Sequence, residues 1–199
     1  MKFQANLIRA AAIVAGEKDI RSYLNGVHIE YKPGEDHVWI VGTDGGAMFV
    51  ARQIVDRQTD PVELLIPTKE ARKIKSKLVY HDGGGDVVNW QIGNEKHSIY
   101  SKAEPGRYPD WRRVVPDSVD NTRANIRMGY MVKAQKVVAE LCGKTSGDYV
   151  DIRGGSIDGR TPAIVTGLSS NCLMLIMPYR ANSSVTEADL TNLRAKLGI

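Results

Sequence analysis

The sequence predicts an α+β fold of repeated half-domains, each with one helix and antiparallel strands, the helices gathered on one face of the sheets. Two observations predict it. A helical stretch followed by strand-like runs occurs three times along the 199 residues. Turn clusters also separate the runs closely enough for the strands to be antiparallel neighbours. Repetition on this scale implies quasi-symmetric stacking of the units.

The first unit opens with ANLIRAAAIVAG (5–16), Ala-rich and helical. Three strand-like runs follow, YLNGVHIEY (23–31), HVWIVGT (37–43) and AMFVARQIV (47–55). VHIEY alternates apolar and polar residues, as a half-buried strand does, and KPGED is a turn cluster. The second unit opens with VELLIP (62–67) and a helix over 68–78 that Thr68 is placed to cap. VVNWQIG (87–93) and HSIYSKA (97–103) then form a hairpin across NEK, with HDGGGD (81–86) as the link before them. The third unit opens with ANIRMG (124–129) and the helix YMVKAQKVVAELC (130–142). Its strands are YVDIRGG (149–155), AIVTGL (163–168) and CLMLIMP (172–178). A final amphipathic segment, TEADLTNLRAKLG (186–198), reads as helical and belongs to no unit.

Composition is ordinary for a globular chain, with 42% hydrophobic and 25% charged residues, so neither disorder nor a fibrous class is indicated. No apolar run approaches the roughly 20 residues of a membrane helix. Arg9 interrupts the N-terminal apolar stretch, which suits a helix better than a secretory signal. Cys142 and Cys172 sit in apolar patterns and read as buried, reduced thiols, so a cytoplasmic location is expected.

Net charge is only +4, but it is locally concentrated: TKEARKIKSKL (68–78) holds five basic residues and one acid. On a helical wheel Ala71, Ile74 and Leu78 form one stripe, with Lys69, Arg72, Lys73 and Ser76 opposite. In the third helix Met131, Val132, Ala134, Val137, Val138 and Leu141 cover most of the circumference, leaving Lys133, Lys136 and Glu140 as a polar strip. In the first, Arg9 stands alone. A basic polar face is ordinarily just solvated. Here it recurs in every unit, as expected of helices that face phosphates and bind without reading sequence.

The sequence offers no catalytic constellation. His28, His37, His81 and His97 are scattered, without the spacing of a helical metal site. The glycine clusters TDGG (43–46), DGGGD (82–86) and RGGS (153–156) match no phosphate-loop pattern and read as turns. Asp44 and Asp110 read as turn residues bonding their own backbone. The expectation is a non-enzyme with no cofactor and no metal.

GRYPDWRRVVP (106–116) has neither helical nor strand periodicity. Alone it reads as a Pro-rich corner whose Trp111 plugs a core. It also resembles the segment that ends the middle domain of the bacterial DNA polymerase III beta sliding clamp. Four other stretches resemble that family in the same order: IRSYLNGVHIE (20–30), VGTDGGAMFVAR (41–52), LLIPTKE (64–70) and LMLIMPYR (173–180). The resemblance implies the sliding-clamp fold, with 1–118 as one complete clamp-like domain. Residues 119–180 would be the back half of the last domain, and 181–199 a C-terminal helical extension without counterpart. Three half-domain units then stand where a full clamp subunit has six. The chain is expected to be a compact clamp, of phage or mobile-element type, or a relative that has lost ring function. Gly46-Ala47 and Tyr179 depart from the family pattern.

The family encircles duplex DNA without sequence preference and tethers polymerase. Its partners, including clamp-loader-type proteins, dock a short peptide in a hydrophobic cleft between the middle and last domains. Carried over by motif, the cleft residues are Leu24, Thr43, Gly45, Met48, Pro109, Arg113, Val114, Leu175, Met177, Pro178, Tyr179 and Arg180. A core or turn role is the alternative for each, strongest for Leu175 and Met48. Pro178 and Tyr179 would be the pocket's floor and lip, with Met177 beneath. The resemblance places Lys18, Arg21, Tyr23 and Lys69 toward DNA; Arg72, Lys73, Lys133 and Lys136 join them from the wheel alone. The function expected is a DNA sliding-clamp-like processivity factor. Two other readings remain open: a decoy or adaptor that binds clamp partners without a ring, and an unrelated α+β enzyme. The family's ring holds twelve units, so a homo-oligomeric ring of this chain would be a tetramer.

Overall fold

A computed structural model of the chain describes residues 1–82, 85–101, 108–118, 124–143, 150–156 and 160–179. The first unit runs β1 (Lys2–Gln4), α1 (Ala5–Val14), a 3₁₀ turn at Ser22–Leu24, then β2 (Gly26–Tyr31), β3 (His37–Thr43) and β4 (Ala47–Ile54). The second repeats the order: β5 (Val62–Pro67), α2 (Thr68–Ala71), β6 (Leu78–His81), β7 (Val87–Ile92) and β8 (Glu95–Tyr100). A 3₁₀ turn at Trp111–Val114 precedes the third unit, α3 (Met128–Cys142), β9 (Ile152–Gly154), β10 (Ala163–Val165) and β11 (Cys172–Ile176).

The first two units interlock by exchanging their leading strands. β5 pairs with β2, from Gly26 opposite Pro67 to Tyr31 opposite Val62, and β1 pairs with β6, Phe3 opposite Val79. The result is a four-stranded sheet β1-β6-β7-β8 and a longer sheet that begins β5-β2-β3-β4. The third unit extends the longer sheet end to end: β11 lies antiparallel to β4, with Leu175 opposite Met48, giving seven strands in the order β5-β2-β3-β4-β11-β10-β9. All pairings are antiparallel, and the architecture is the α+β one the repeats predict.

The long sheet is buried on both faces over its centre, which explains why β3, β4 and β11 read as apolar runs rather than alternations. Ile40, Phe49, Ala51, Met174 and Ile176 join the helix-side core. Their neighbours Val41, Met48, Val50 and Leu175 face the other way, against Trp111. α1 lies close on the sheet because Gly42 has no side chain: a Cβ there would stand 2.1 Å from the Ala11 carbonyl oxygen.

Several expectations change. The helix expected over 68–78 stops at Ala71, because Lys77 must reach back to accept the Ala5 N–H (2.9 Å) and Leu78 must pair with Gln4. Tertiary pairing thus overrides helix propensity. Thr68 does not cap α2; its hydroxyl donates to the Gly16 carbonyl at 2.7 Å, tying α2 to the end of α1. Tyr23 and Leu24 lie in a 3₁₀ turn rather than a strand, and β1 and β6 are additions to the expected strands. Cys142 is exposed, at the last residue of α3, where the helix ends and less of the chain covers it. Cys172 is half-buried, and burial with Cys142 nearby raises its thiol to about 11. The expected helix at 186–198 lies outside the described residues.

Candidate functional site

The segment with neither periodicity is a strap across the open face of the long sheet. Tyr108 stacks on His28 with ring centroids 4.2 Å apart, and burial raises its phenol above the usual range. Trp111 sits among Val41, Met48, Val50 and Leu175, 5.1 Å from the Trp39 ring. Arg112 lies 4.2 Å over the Trp111 ring and pairs with Glu30 of β2. The two prolines and the 3₁₀ turn suit a strap that runs across strands rather than beside one. The Pro-rich corner with a plugging Trp111 and the family motif are therefore the same object.

Beside the strap is an apolar cleft of about 310 Å³ walled by the first and third units. Tyr23 and Leu24 enter from the 3₁₀ turn, and Thr43, Gly45, Gly46, Ala47 and Met48 from the β3–β4 turn. The strap supplies Pro109, Asp110, Trp111 and Val114; the third unit supplies Pro162, Leu175 and Met177. Arg21 stands at the cleft too, its carboxylate partner Asp19 at 2.9 Å. That side chain and the Arg21 backbone N–H hold Asp19 down to about 2.

Eight of the twelve cleft residues expected from sequence line this one cavity: Leu24, Thr43, Gly45, Met48, Pro109, Val114, Leu175 and Met177. Three do not. Arg113 is exposed on the strap. Pro178 is buried behind the site, with its Cγ 3.1 Å from where a Cβ of Gly155 would be. Tyr179 turns away, its ring under the Arg127 guanidinium at 4.6 Å and its backbone N–H donating to the Asn125 carbonyl. Arg180 lies outside the described residues. Sequence reading missed Gly46, Ala47, Asp110, Trp111 and Pro162 as lining, and it assigned Arg21 and Tyr23 to a different surface. The signal for Trp111 was its place between two motif residues already chosen.

The turn that walls the cleft is held from both sides. The Asp44 Oδ1 accepts the Gly46 and Ala47 N–H groups, both at 2.9 Å, as a loop aspartate does. Its Oδ2 accepts Lys133 Nζ of α3 at 2.6 Å, and that ammonium also donates to the Val14 carbonyl at 3.2 Å. Tyr130 fills the space over Gly46, where a Cβ would lie 2.0 Å from its hydroxyl. Burial and the Asp44 charge raise the Tyr130 phenol.

The basic residues divide. Arg9 pairs with Glu140 (2.8 Å), Arg72 with Glu17 (2.5 Å), Lys73 with Glu70 (2.8 Å) and Lys133 with Asp44 (2.6 Å). Lys18, Lys69 and Lys136 are exposed and make no ion pair among the described residues. No group of three or more His, Cys, Asp or Glu that could hold a metal occurs among the described residues. No described helix is long and apolar enough to cross a membrane.

No protein-family model matches the chain. Over 121 residues it is 31% identical to the beta sliding clamp of Escherichia coli K12, covering 57% of this chain and 32% of that protein. The beta sliding clamp of Vibrio cholerae is 29% identical over 123 residues, again 32% of its length. The chain thus spans about a third of the curated relatives it matches. Among solved structures, the DNA polymerase sliding clamp of Pseudomonas aeruginosa superposes with a TM-score of 0.61 at 15% identity, covering 91% of this chain and 66% of that one. The sliding clamp of Bacillus subtilis gives 0.62 at 13% identity, covering 91% and 64%. The fold is the sliding-clamp fold.

Proposed function

We propose that this chain, a relative of the bacterial beta sliding clamps, is a non-catalytic processivity factor. In this reading it encircles duplex DNA and tethers a polymerase or loader-type partner through the cleft beside Trp111. The observation that carries the reading is the cleft itself. Residues from separately recognised motifs would have no reason to converge on one apolar cavity unless the cavity is used, and eight of the twelve chosen by motif do so. A cavity of this size, mostly apolar with Arg21, Thr43 and Asp110 at hand, suits a short peptide with aliphatic or aromatic anchors. We take residues 1–118 as one clamp-like domain and 119–180 as half of another. By unit count the ring is a homotetramer, working in the cytoplasm on DNA of any sequence.

A second reading has its own support. Four of the basic side chains on or near the helices, Arg9, Arg72, Lys73 and Lys133, are held in ion pairs. Lys18, Lys69 and Lys136 remain for phosphates. An adaptor that binds clamp partners without encircling DNA needs the cleft and not the basic face. Retention on DNA separates the two. A ring stays on nicked circular duplex through gel filtration and slides off after linearisation. An adaptor shows no retention on either form at low salt, yet binds a polymerase-derived peptide.

A further inference from the structure

We propose that the partner segment held in the cleft carries a second anchor, an aromatic side chain next to an acid, and seats it in a hollow across Trp111 from the cleft. The proposal deepens the partner-binding reading above and rests on it. The hollow has a volume of about 410 Å³. Trp39, Val50, Trp111, Val115 and Leu173 give it apolar walls, and Arg52, Ser170 and Asn171 supply polar groups. Of these residues only Trp111 also lines the cleft.

The register of the sheet makes the two hollows consecutive stretches of one trough. On the side facing the strap, Thr43, Met48 and Leu175 form one row across β3, β4 and β11. All three line the cleft. The next row is Val41, Val50 and Leu173, packed with Trp111. The third is Trp39 and Arg52, with Asn171 joined to the Arg52 backbone by hydrogen bonds of 2.8 and 2.9 Å. Trp111 therefore stands as a saddle between a first hollow and a second. Met48 and Arg52 lie four positions apart on β4, roughly 13 Å at the rise of an extended strand. An extended peptide covers that distance in about four residues, and an even spacing turns both anchors to the same face.

The chemistry of the second hollow selects its occupant. Trp39, Val115 and Leu173 are only half-buried, so apolar surface there is open to a side chain. The Trp39 and Trp111 rings, 5.1 Å apart and tilted, offer a third ring the geometry that aromatic groups prefer. Two guanidinium groups stand beside them. Arg112 lies 4.2 Å over the Trp111 ring and 5.7 Å from the Trp39 centroid, and it pairs with Glu30. Arg52 pairs with Asp36 at 3.2 Å, with side chains 44% and 51% exposed, and His37 Nδ1 is 3.3 Å from the same nitrogen. An exposed pair of this kind holds weakly, so Arg52 can turn to a carboxylate that a ligand brings. A basic segment meets two arginines here and is disfavoured. A hollow of this size takes a single anchor, too little for an independent partner. The segment already ordered in the cleft adds that anchor at small further cost, because its second contact is intramolecular.

The test is a fluorescence-polarisation titration of the full chain with labelled peptides. A short probe carries one aliphatic-aromatic pair for the cleft. Long probes add a Phe-Asp pair two or four positions further on, beyond either end, through Gly-Ser spacers. The short probe should bind. One of the long probes with the four-position spacing should bind about tenfold tighter, the gain from burying one more aromatic side chain. The two-position probes should bind no tighter than the short one, and Asn in place of the acid should give a smaller gain. Arg52→Glu, at an exposed position outside the cleft, should remove the gain and leave the affinity of the short probe unchanged. A long probe with Gly-Gly in place of Phe-Asp should fall back to the short probe's affinity, a comparison that needs no variant to fold. Equal affinities of short and long probes, or a gain as large at two positions, would overturn the second anchor and leave the cleft standing. A gain that survives in folded Arg52→Glu would place the anchor elsewhere and overturn the proposal. A short probe that does not bind would overturn the cleft reading, and the second anchor with it.

Discussion

Lys133 Nζ lies 2.6 Å from Asp44 Oδ2, so a helix of the third unit grips the turn that walls the first unit's side of the cleft. Both side chains are less than a third exposed. Lys133→Met removes the cation and leaves the second Asp44 oxygen without its partner, which costs about 1–3 kcal/mol for a partly buried group. Thermal unfolding should therefore fall by several degrees, and peptide affinity with it, while the salt dependence of DNA binding stays at the wild-type slope. A flattened slope in Lys133→Met would return this lysine to the phosphate-facing set.

Salt dependence also assigns the remaining cations. Removing one cation that neutralises a phosphate should reduce the slope of log affinity against log salt by about 0.9. Replacing Lys18, Lys69 and Lys136 with Ala should flatten it by two to three such steps, or about 2–3 log units per decade of salt. Arg72→Ala, whose guanidinium is held by Glu17 and the Ala12 carbonyl, should change it less. Equal slopes for the triple variant and wild type would remove the helix face from the DNA footprint.

The cleft is best tested at its exposed rim. Val114 is 49% exposed on the strap and lines the cavity, so Val114→Glu should fold normally and weaken binding of an apolar-aromatic peptide at least tenfold, about 1.4 kcal/mol. Tyr179→Ala removes a ring stacked on Arg127 outside the cavity, and should change the affinity by less than half that free energy. The reverse order in a titration would put the peptide on the Tyr179 side.

His28 gives the strap a pH dependence. Burial lowers its pKa below 6.5, with Glu30 and Glu63 opposing the shift and Arg112 aiding it. A histidine whose folded pKa is depressed is neutral in the fold, so its contribution is complete above 6.5 and is lost as pH falls toward the folded value. Because its ring stacks on Tyr108, the loss is felt at the strap. The unfolding temperature should drop between pH 7.5 and 5.5, and less in His28→Phe than in wild type. Parallel drops in the two proteins would exclude His28 as the cause.

What could be read from sequence followed the range of the interaction. The three units were legible because their strands and helices are set by local periodicity and turns. The cleft was legible because its residues fall in contiguous motifs such as TDGGAM and PDWRRV. The ion pairs were not: Arg72 meets Glu17 across 55 residues, Lys133 meets Asp44 across 89 and Arg9 meets Glu140 across 131. A helical wheel shows Lys133 as a polar strip whether water, phosphate or a distant carboxylate faces it. Likewise Lys2–Gln4 and Leu78–His81 are too short to show a period, and they become strands only by pairing with each other. The α2 helix was overdrawn for the same reason, since its last expected turn is taken by that pairing.

Gly46 is the point where the departure from the family pattern and the unit interface coincide. Its backbone needs no glycine-only conformation, so the absence of a side chain is a matter of space alone. A Cβ would stand 2.0 Å from the Tyr130 hydroxyl and 2.7 Å from the adjoining ring carbon, both nearer than real contacts allow. Gly46→Ala must therefore push Tyr130 and the start of α3 away from the Asp44 turn, at a cost of about 1–3 kcal/mol for overpacking. Tyr130→Ala alone leaves a gap and should also destabilise. The two sites touch, so their effects should not add. In the double variant the methyl group occupies part of the vacated space, and the unfolding free energy should exceed the sum expected from the single changes by at least about 1 kcal/mol, a coupling typical of residues in direct contact. Strict additivity in chemical denaturation would show that Tyr130 does not sit on Gly46 in solution, and that the third unit docks on the first by another contact.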